Sequence, residues 1–224
     1  MSNVDPAQVR RLGIVDLGVG STGSIASCLR RTCAQLSGCW QVSMVSEPDA
    51  LASCDRIVLS PAGPYAACAQ ALAGAMGHAI RRHIGQGKGC LASSVGMALL
   101  FERSDEAPGL QGLGVLRGRS RGLVATPEAM SGLIARVPHI GWNRLTHSVS
   151  GHPIVGAAGR SGTWMYFAHD EHVVPEDRSV VLATVEHGAE TLVAAVGQGS
   201  VVGTQFRPEL SHRAGIRVLV AFLQ

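Results

Sequence analysis

Short apolar runs and helix-periodic segments take turns along roughly the first 100 residues, and that alternation limits the possible folds more than any other feature. Residues 12–16, 40–45, 56–59 and 90–93 are compact apolar runs of strand length. Between them, residues 24–36 carry Ile25, Cys28, Leu29 and Thr32 at helical spacing. Residues 48–52 form a short helical turn, and the Ala-rich residues 66–84 predict one helix. Strands separated by helices line up in parallel, with helices on both faces and functional loops at the carboxyl ends of the strands. The expected core is therefore an α/β, doubly wound parallel sheet.

The second half reads differently. Residues 114–146 hold short strand-like pieces with basic punctuation. Residues 164–169, 180–185, 190–196 and 200–206 are further strands, and residues 214–223 form a last helix with Ile216, Leu219, Val220 and Leu223 on one face. The expectation is a polar extension over residues 1–11 and a single domain over 12–224, mixed or antiparallel in its second half. Hydrophobic residues make up 46% but aromatics only 4%, so Val, Leu, Ile and Ala must fill the core.

A net charge of +3 with scattered arginines gives no support to nucleic-acid binding. The cluster Arg117, Arg119, Arg121 reads as a solvated face, with phosphate binding as its alternative. The six cysteines, at 28, 33, 39, 54, 68 and 90, form no Cys-x-x-Cys pair and read as buried, reduced thiols. Neither a membrane-length apolar run nor signal-peptide regions are present, so a soluble cytoplasmic protein without metal or cofactor is expected.

The stretch from Lys88 to Glu102 concentrates the chemical signal. A buried strand runs to Ser93, an abrupt turn falls at Ser94, and a helix starts near Val95; Ala92, Ser93 and Gly96 keep the turn small. That is the layout of a nucleophile elbow, in which a reactive side chain stands on a tight strand-to-helix turn facing the following amides. The alternative is an ordinary βα turn, which also favours small residues. Gly18-x-Gly20-x-x-Gly23, after the first strand, fits a dinucleotide fingerprint only formally, since Glu47 is late for the ribose-reading acid. A close-packed strand–helix turn accounts for it equally.

Further along, Leu99-Leu100-Phe101-Glu102-Arg103-Ser104, Gly112-Leu113-Gly114, Pro138-His139-Ile140-Gly141-Trp142-Asn143, Tyr166-Phe167-Ala168-His169 and Gly203-Thr204-Gln205-Phe206-Arg207-Pro208-Glu209 follow in order. Together with the elbow, this set resembles the glutaminase subunit of imidazole glycerol phosphate synthase, a class I glutamine amidotransferase, over residues 12–224. The resemblance implies a three-layer, flavodoxin-like fold with a mixed, mostly parallel sheet and an antiparallel extension. It also implies an elbow cysteine that attacks glutamine, a histidine base, a glutamate that orients the base, and backbone amides for the oxyanion. The implied partner is a (βα)8-barrel cyclase that receives ammonia. By motif, Ser94, Arg207 and Glu209 occupy the three triad positions. Gly63, Val95, Gly96, Ala98 and His169 fall in the substrate and oxyanion region, and His139, Trp142 and Asn143 fall at the docking face.

The departures land on the chemistry. Serine stands for cysteine at 94, and arginine stands for the histidine base at 207. Ala98 replaces a substrate-holding glutamine, Pro61 a loop glycine, Ser21 an asparagine, and Asp170-Glu171 a Ser-Tyr pair. So many coordinated changes fit divergence better than one engineered change at Ser94. Cys90 reads as core rather than as a displaced nucleophile. Three readings follow: a non-hydrolytic partner or regulatory subunit of a cyclase-like barrel; an enzyme using Ser94, or Ser94 with Arg207, on a small anionic molecule; and a glutaminase rescued by His212 or by a partner residue.

Overall fold

The computed structural model describes residues 9–36, 40–125, 135–147 and 152–224. Five parallel strands build the centre: β1 (Arg10–Val15), β2 (Trp40–Val45), β3 (Arg56–Leu59), β4 (Gly89–Ser93) and β13 (Val201–Thr204). Three more extend the sheet antiparallel beyond β13: β12 (Glu190–Gln198), β11 (Val181–His187) and β8 (Thr146–His147). The spatial order is β2-β1-β3-β4-β13-β12-β11-β8. Beside this sheet lie β5 (Arg103–Ser104), β6 (Gly118–Gly122) and β10 (Glu171–Pro175) as a small second sheet, and β7 (His139–Arg144) with β9 (Trp164–His169) as an antiparallel ribbon.

Side-chain alternation along the central strands makes the sheet the middle of three layers. Ile57, Leu59, Cys90, Ala92 and Val201 face one core with α2 (Tyr65–Leu72), α3 (Ala75–Gly85) and α4 (Val95–Leu99). Val58, Leu91 and Val202 face the other core, with α1 (Gly23–Gln35), α5 (Pro153–Gly156) and α6 (His212–Leu223). The mixed sheet with an antiparallel extension is the expected fold class.

Several boundaries differ from the sequence reading. The first strand starts at Arg10, so the last two residues assigned to the extension pair in the sheet. The helix expected over residues 66–84 is two helices, because Gly74 adopts an extended backbone (φ −108°, ψ −147°) between α2 and α3. The helices then cross so closely that a Cβ on Gly77 would lie 2.0 Å from the Leu72 carbonyl oxygen. The last helix turns Gly215, Val218, Leu219, Phe222 and Leu223 inward, a face rotated from the expected one. Gly215 sets that rotation, since a Cβ there would stand 1.9 Å from the Pro208 carbonyl oxygen. The strands at 103–104 and 171–175 have no clear pattern in the sequence.

Cys28, Cys33, Cys54, Cys68 and Cys90 are free and buried, while Cys39 lies outside the described residues. Burial alone pushes the Cys90 thiol up to about 12, which fits a core residue and not a nucleophile. Among the described residues, no helix is long and apolar enough to cross a membrane.

Gly96 is the tightest point between α4 and the sheet: a Cβ there would lie 2.1 Å from the Leu59 carbonyl oxygen. Gly96→Ala is expected to cost about 1–3 kcal/mol through overpacking, read as a lowered midpoint in urea unfolding.

Candidate functional site

Ser94 stands at the junction of β4 and α4 with φ 55° and ψ −124°, a conformation non-glycine residues rarely adopt. The sheet imposes it. β4 is paired in parallel on both sides, and the Ser94 amide donates to the Thr204 carbonyl oxygen at 2.7 Å, while its own carbonyl accepts from the Met97 amide at 2.9 Å. The strand, strained apex and helix are the context that a nucleophile elbow requires.

A cleft of about 240 Å³ opens above this turn. Of the residues singled out from the sequence, Ser94, Val95, Gly63, His169 and Arg207 line it. Gly96 and Ala98 do not: both are buried, Gly96 against the Leu59 carbonyl and Ala98 in the core under α4. Asp170, Glu171 and Pro61 line the cleft, as the departures anticipated, and so does Gln205, whose role no sequence signal marked. Gln205 is 1% exposed, and its side-chain oxygen has no partner among the described residues.

Arg207 is committed to a carboxylate. Its Nε donates to Glu209 Oε1 at 2.9 Å, its Nη2 lies 2.8 Å from the same oxygen as an ion pair, and Nη2 donates to Ser24 Oγ at 3.5 Å. The Glu209 side chain is only 1% exposed, so the arginine serves as its counter-ion behind the cleft. The Arg207 backbone is fixed as well. Its amide donates to the Tyr166 carbonyl, and its carbonyl accepts from the buried Ser211 hydroxyl at 2.7 Å. A guanidinium offers no lone pair and keeps its charge, so it cannot take the proton of the Ser94 alcohol.

Neither His169 nor His139 has a ring nitrogen free to act as a base, and His212 is not among the residues lining the cleft. The His169 Nδ1–H donates to the Glu171 carbonyl at 2.8 Å, which leaves Nε2 to accept from His139 Nδ1–H at 2.9 Å. His139 Nε2 in turn accepts from the Asn143 amide at 3.3 Å, and that amide also donates to the Glu186 carbonyl. Both rings are therefore neutral with every nitrogen engaged. Burial lowers His139 to about 3, helped by the neighbouring His169 and His187, and lowers His169 to about 4 against the pull of the Glu171 carbonyl. His139 is 6% exposed and sandwiched between Phe167 and His187, at ring separations of 4.8 and 4.2 Å. It therefore supports the ribbon from beneath, and Trp142 is the exposed member of the three docking-face residues. His212 is exposed, stacks flat on Trp142 at 5.0 Å, and is not among the residues lining the cleft.

Two other sequence features resolve toward structure. Gly20 lies where a Cβ would stand 1.6 Å from the Ala62 carbonyl oxygen, so the glycine-rich turn packs against the loop of residues 60–64 rather than leaving room for a pyrophosphate. Arg119 pairs with Asp105 at 2.9 Å and Arg121 with Glu190 at 3.4 Å, which spends both charges within the protein.

The three-layer sheet and the elbow define a class I glutamine amidotransferase fold. Among solved structures, a glutamine amidotransferase matches with a TM-score of 0.68 at 18% identity, over 95% of this chain and 96% of that one. PurLQS from Thermotoga maritima matches with a TM-score of 0.67 at 18% identity, over 96% and 97%. No protein-family model matches. In sequence, the imidazole glycerol phosphate synthase subunit HisH of Synechococcus sp. (strain JA-3-3Ab) is 36% identical over 215 residues, which is 96% of this chain and 93% of the relative. The HisH subunit of Pyrococcus furiosus is 31% identical over 212 residues, 95% and 97% of the two chains. The chain belongs to the HisH family.

The buried titratable groups set the pH dependence of folding. His139 and His169 have folded values depressed below the usual 6.5, so their contribution is complete above pH 6.5 and is lost as pH falls toward 4. His83, His147, His152 and His172, also lowered mainly by burial, act in the same direction. Glu171 acts oppositely: burial raises it to about 7 against the Ser120 hydroxyl bond, so its contribution is present below about 4.5 and is lost as pH rises through 7. The histidines outnumber it, so urea unfolding should show stability falling between pH 6.5 and 4.5. Glu171→Gln should steepen that fall by about one proton, and His169→Gln should make it shallower.

Proposed function

We propose that this chain is a HisH-family subunit without glutaminase activity, acting as a non-hydrolytic partner or regulatory subunit of a cyclase-like (βα)8 barrel that takes free ammonia or does different chemistry. One observation carries the reading. Arg207, ion-paired to the buried Glu209 at 2.8 Å, lines the cleft with Ser94 and holds the motif position of the base. A positioned general base contributes about 10²–10⁴-fold, and a serine alcohol depends on one far more than a cysteine thiol does.

The proposed partner rests on two supports. The relatives are named as subunits of a synthase. In addition, the β7–β9 ribbon exposes Ile140 at 62%, Trp142 at 41% and Trp164 at 49%, with Arg144 stacked over Trp164. Exposed tryptophans grouped on one rigid face are typical anchors of a protein interface. Capture of an anionic substrate by Ser94 and Arg207 has less support, because Glu209 neutralises the arginine and Asp170 and Glu171 line the same cleft.

The purified chain, alone or with a barrel partner, should release no ammonia from glutamine above the buffer rate; release that disappears in Ser94→Ala would overturn the proposal. Ser94→Cys combined with Arg207→His should restore turnover if the rest of the cleft is intact. Trp142→Ala should weaken barrel binding about tenfold or more.

A further inference from the structure

We propose a second ligand site, for the phosphate group of a small molecule, at the amino ends of the central strands. It lies at the opposite end of β4 from Ser94. A half-open cleft of about 480 Å³ is bounded by the starts of three strands: Arg10 on β1, Arg56 on β3, and Lys88 with Gly89 at β4. That volume falls in the range of small-molecule pockets, roughly 300–1,000 Å³, and exceeds what a bare ion needs.

The charge here is unbalanced. Among the described residues, Arg10, Arg56 and Lys88 form no ion pair. Asp55 is the one acid lining the cleft; its carboxylate accepts the Arg11 amide at 2.6 Å and keeps its charge, so three cations face a single anion. Lys88 is anchored by donating to the Ala52 and Cys54 carbonyls at 3.0 and 2.9 Å, which leaves its third hydrogen free. Arg10 lies over the Trp40 ring at 4.3 Å and donates to the Leu223 carbonyl. Arg56 sits over Phe222 at 5.4 Å and makes no hydrogen bond among the described residues. Burial and then the positive charge of Arg10 lower the pKa of Arg56, against the opposing pull of the Asp55 carboxylate.

Two neutral polar groups of the cleft are donors too. Trp40 Nε1 is buried without a partner among the described residues. His152 Nδ1 accepts the Val155 amide, so in the neutral ring its proton is on Nε2. Half-buried like charges in excess of their counter-ions cost stability, and such an arrangement suits a ligand of opposite charge. Arginine and lysine together suit a phosphate, whose several oxygens accept from both. The apolar Phe222, Ile154 and Val202 give room and contact for an organic body on that phosphate.

The full chain should be titrated with inorganic phosphate and with glycerol 3-phosphate, against chloride at matched ionic strength, followed by thermal shift and ³¹P NMR. Saturable stabilisation by phosphate but not by chloride is expected. Tighter binding of glycerol 3-phosphate identifies a phosphomonoester ligand, and equal binding identifies free phosphate. Arg56→Gln and Lys88→Gln should each weaken binding about tenfold or more, as loss of a charged hydrogen-bond donor does. If one variant fails to fold, the other decides. A response no greater than that of chloride, or unchanged affinity in the folded variants, overturns the proposal. So does binding lost in Arg207→Gln but kept in Arg56→Gln, which would place the anion at the elbow. None of these outcomes depends on glutaminase activity.

Discussion

The backbone of Ser94 is held in a conformation that costs about 1–3 kcal/mol in isolation, and the rest of the candidate site is arranged around it. Strain of this kind persists only when its surroundings over-determine it. Here β4 is hydrogen-bonded on both sides, to β3 and β13, the Ser94 amide is tied to Thr204, and α4 presses Gly96 onto the Leu59 carbonyl. The turn is therefore a product of sheet pairing and close packing. It needs no partner for the serine hydroxyl, so the geometry can outlast the acid–base chemistry it suits.

The same separation of geometry from chemistry explains Arg207. Glu209 is buried at the start of the last helical region, and a buried carboxylate requires a charged or strongly donating neighbour. An imidazole can meet that need and also accept a proton from an alcohol. A guanidinium meets it with one hydrogen bond and its charge, but has no lone pair to offer the cleft. Either side chain can therefore hold the chain locally, and only the imidazole could also serve as a base. The neighbouring relay has a similar character, running from Asn143 through His139 and His169 to the Glu171 carbonyl. Its four groups satisfy one another, which fixes the ribbon against the cleft and leaves no basic nitrogen free.

The two ends of the sheet differ in charge. At the carboxyl ends, Arg207 is neutralised and Asp170 and Glu171 line the opening. At the amino ends, Arg10, Arg56 and Lys88 meet around a single acid, Asp55. A net charge of +3 gives no hint of this polarity, because it averages over groups that the sheet sorts to opposite ends.

By itself the sequence determined the central sheet, since strands buried on both faces read as continuous apolar runs and the helices between them force parallel order. Its ordered motifs also located the elbow at Ser94 and marked Ser94 and Arg207 as the altered positions beside an unchanged Glu209. Tertiary structure alone decided the rest. The break at Gly74 depends on how α2 and α3 cross, and the inward face of α6 depends on Gly215 meeting Pro208. Glu171 and His172 read as polar, yet they lie in a buried strand because Ser120 and Arg121, 51 residues away, bond to them. His139 lies in the segment expected at a docking face but is buried, because Phe167 and His187 close on its ring. The basic cleft is drawn from three separate strand starts that only parallel pairing brings together. Local periodicity records which face of an element is apolar; which distant group will satisfy a polar side chain is a property of the packed molecule.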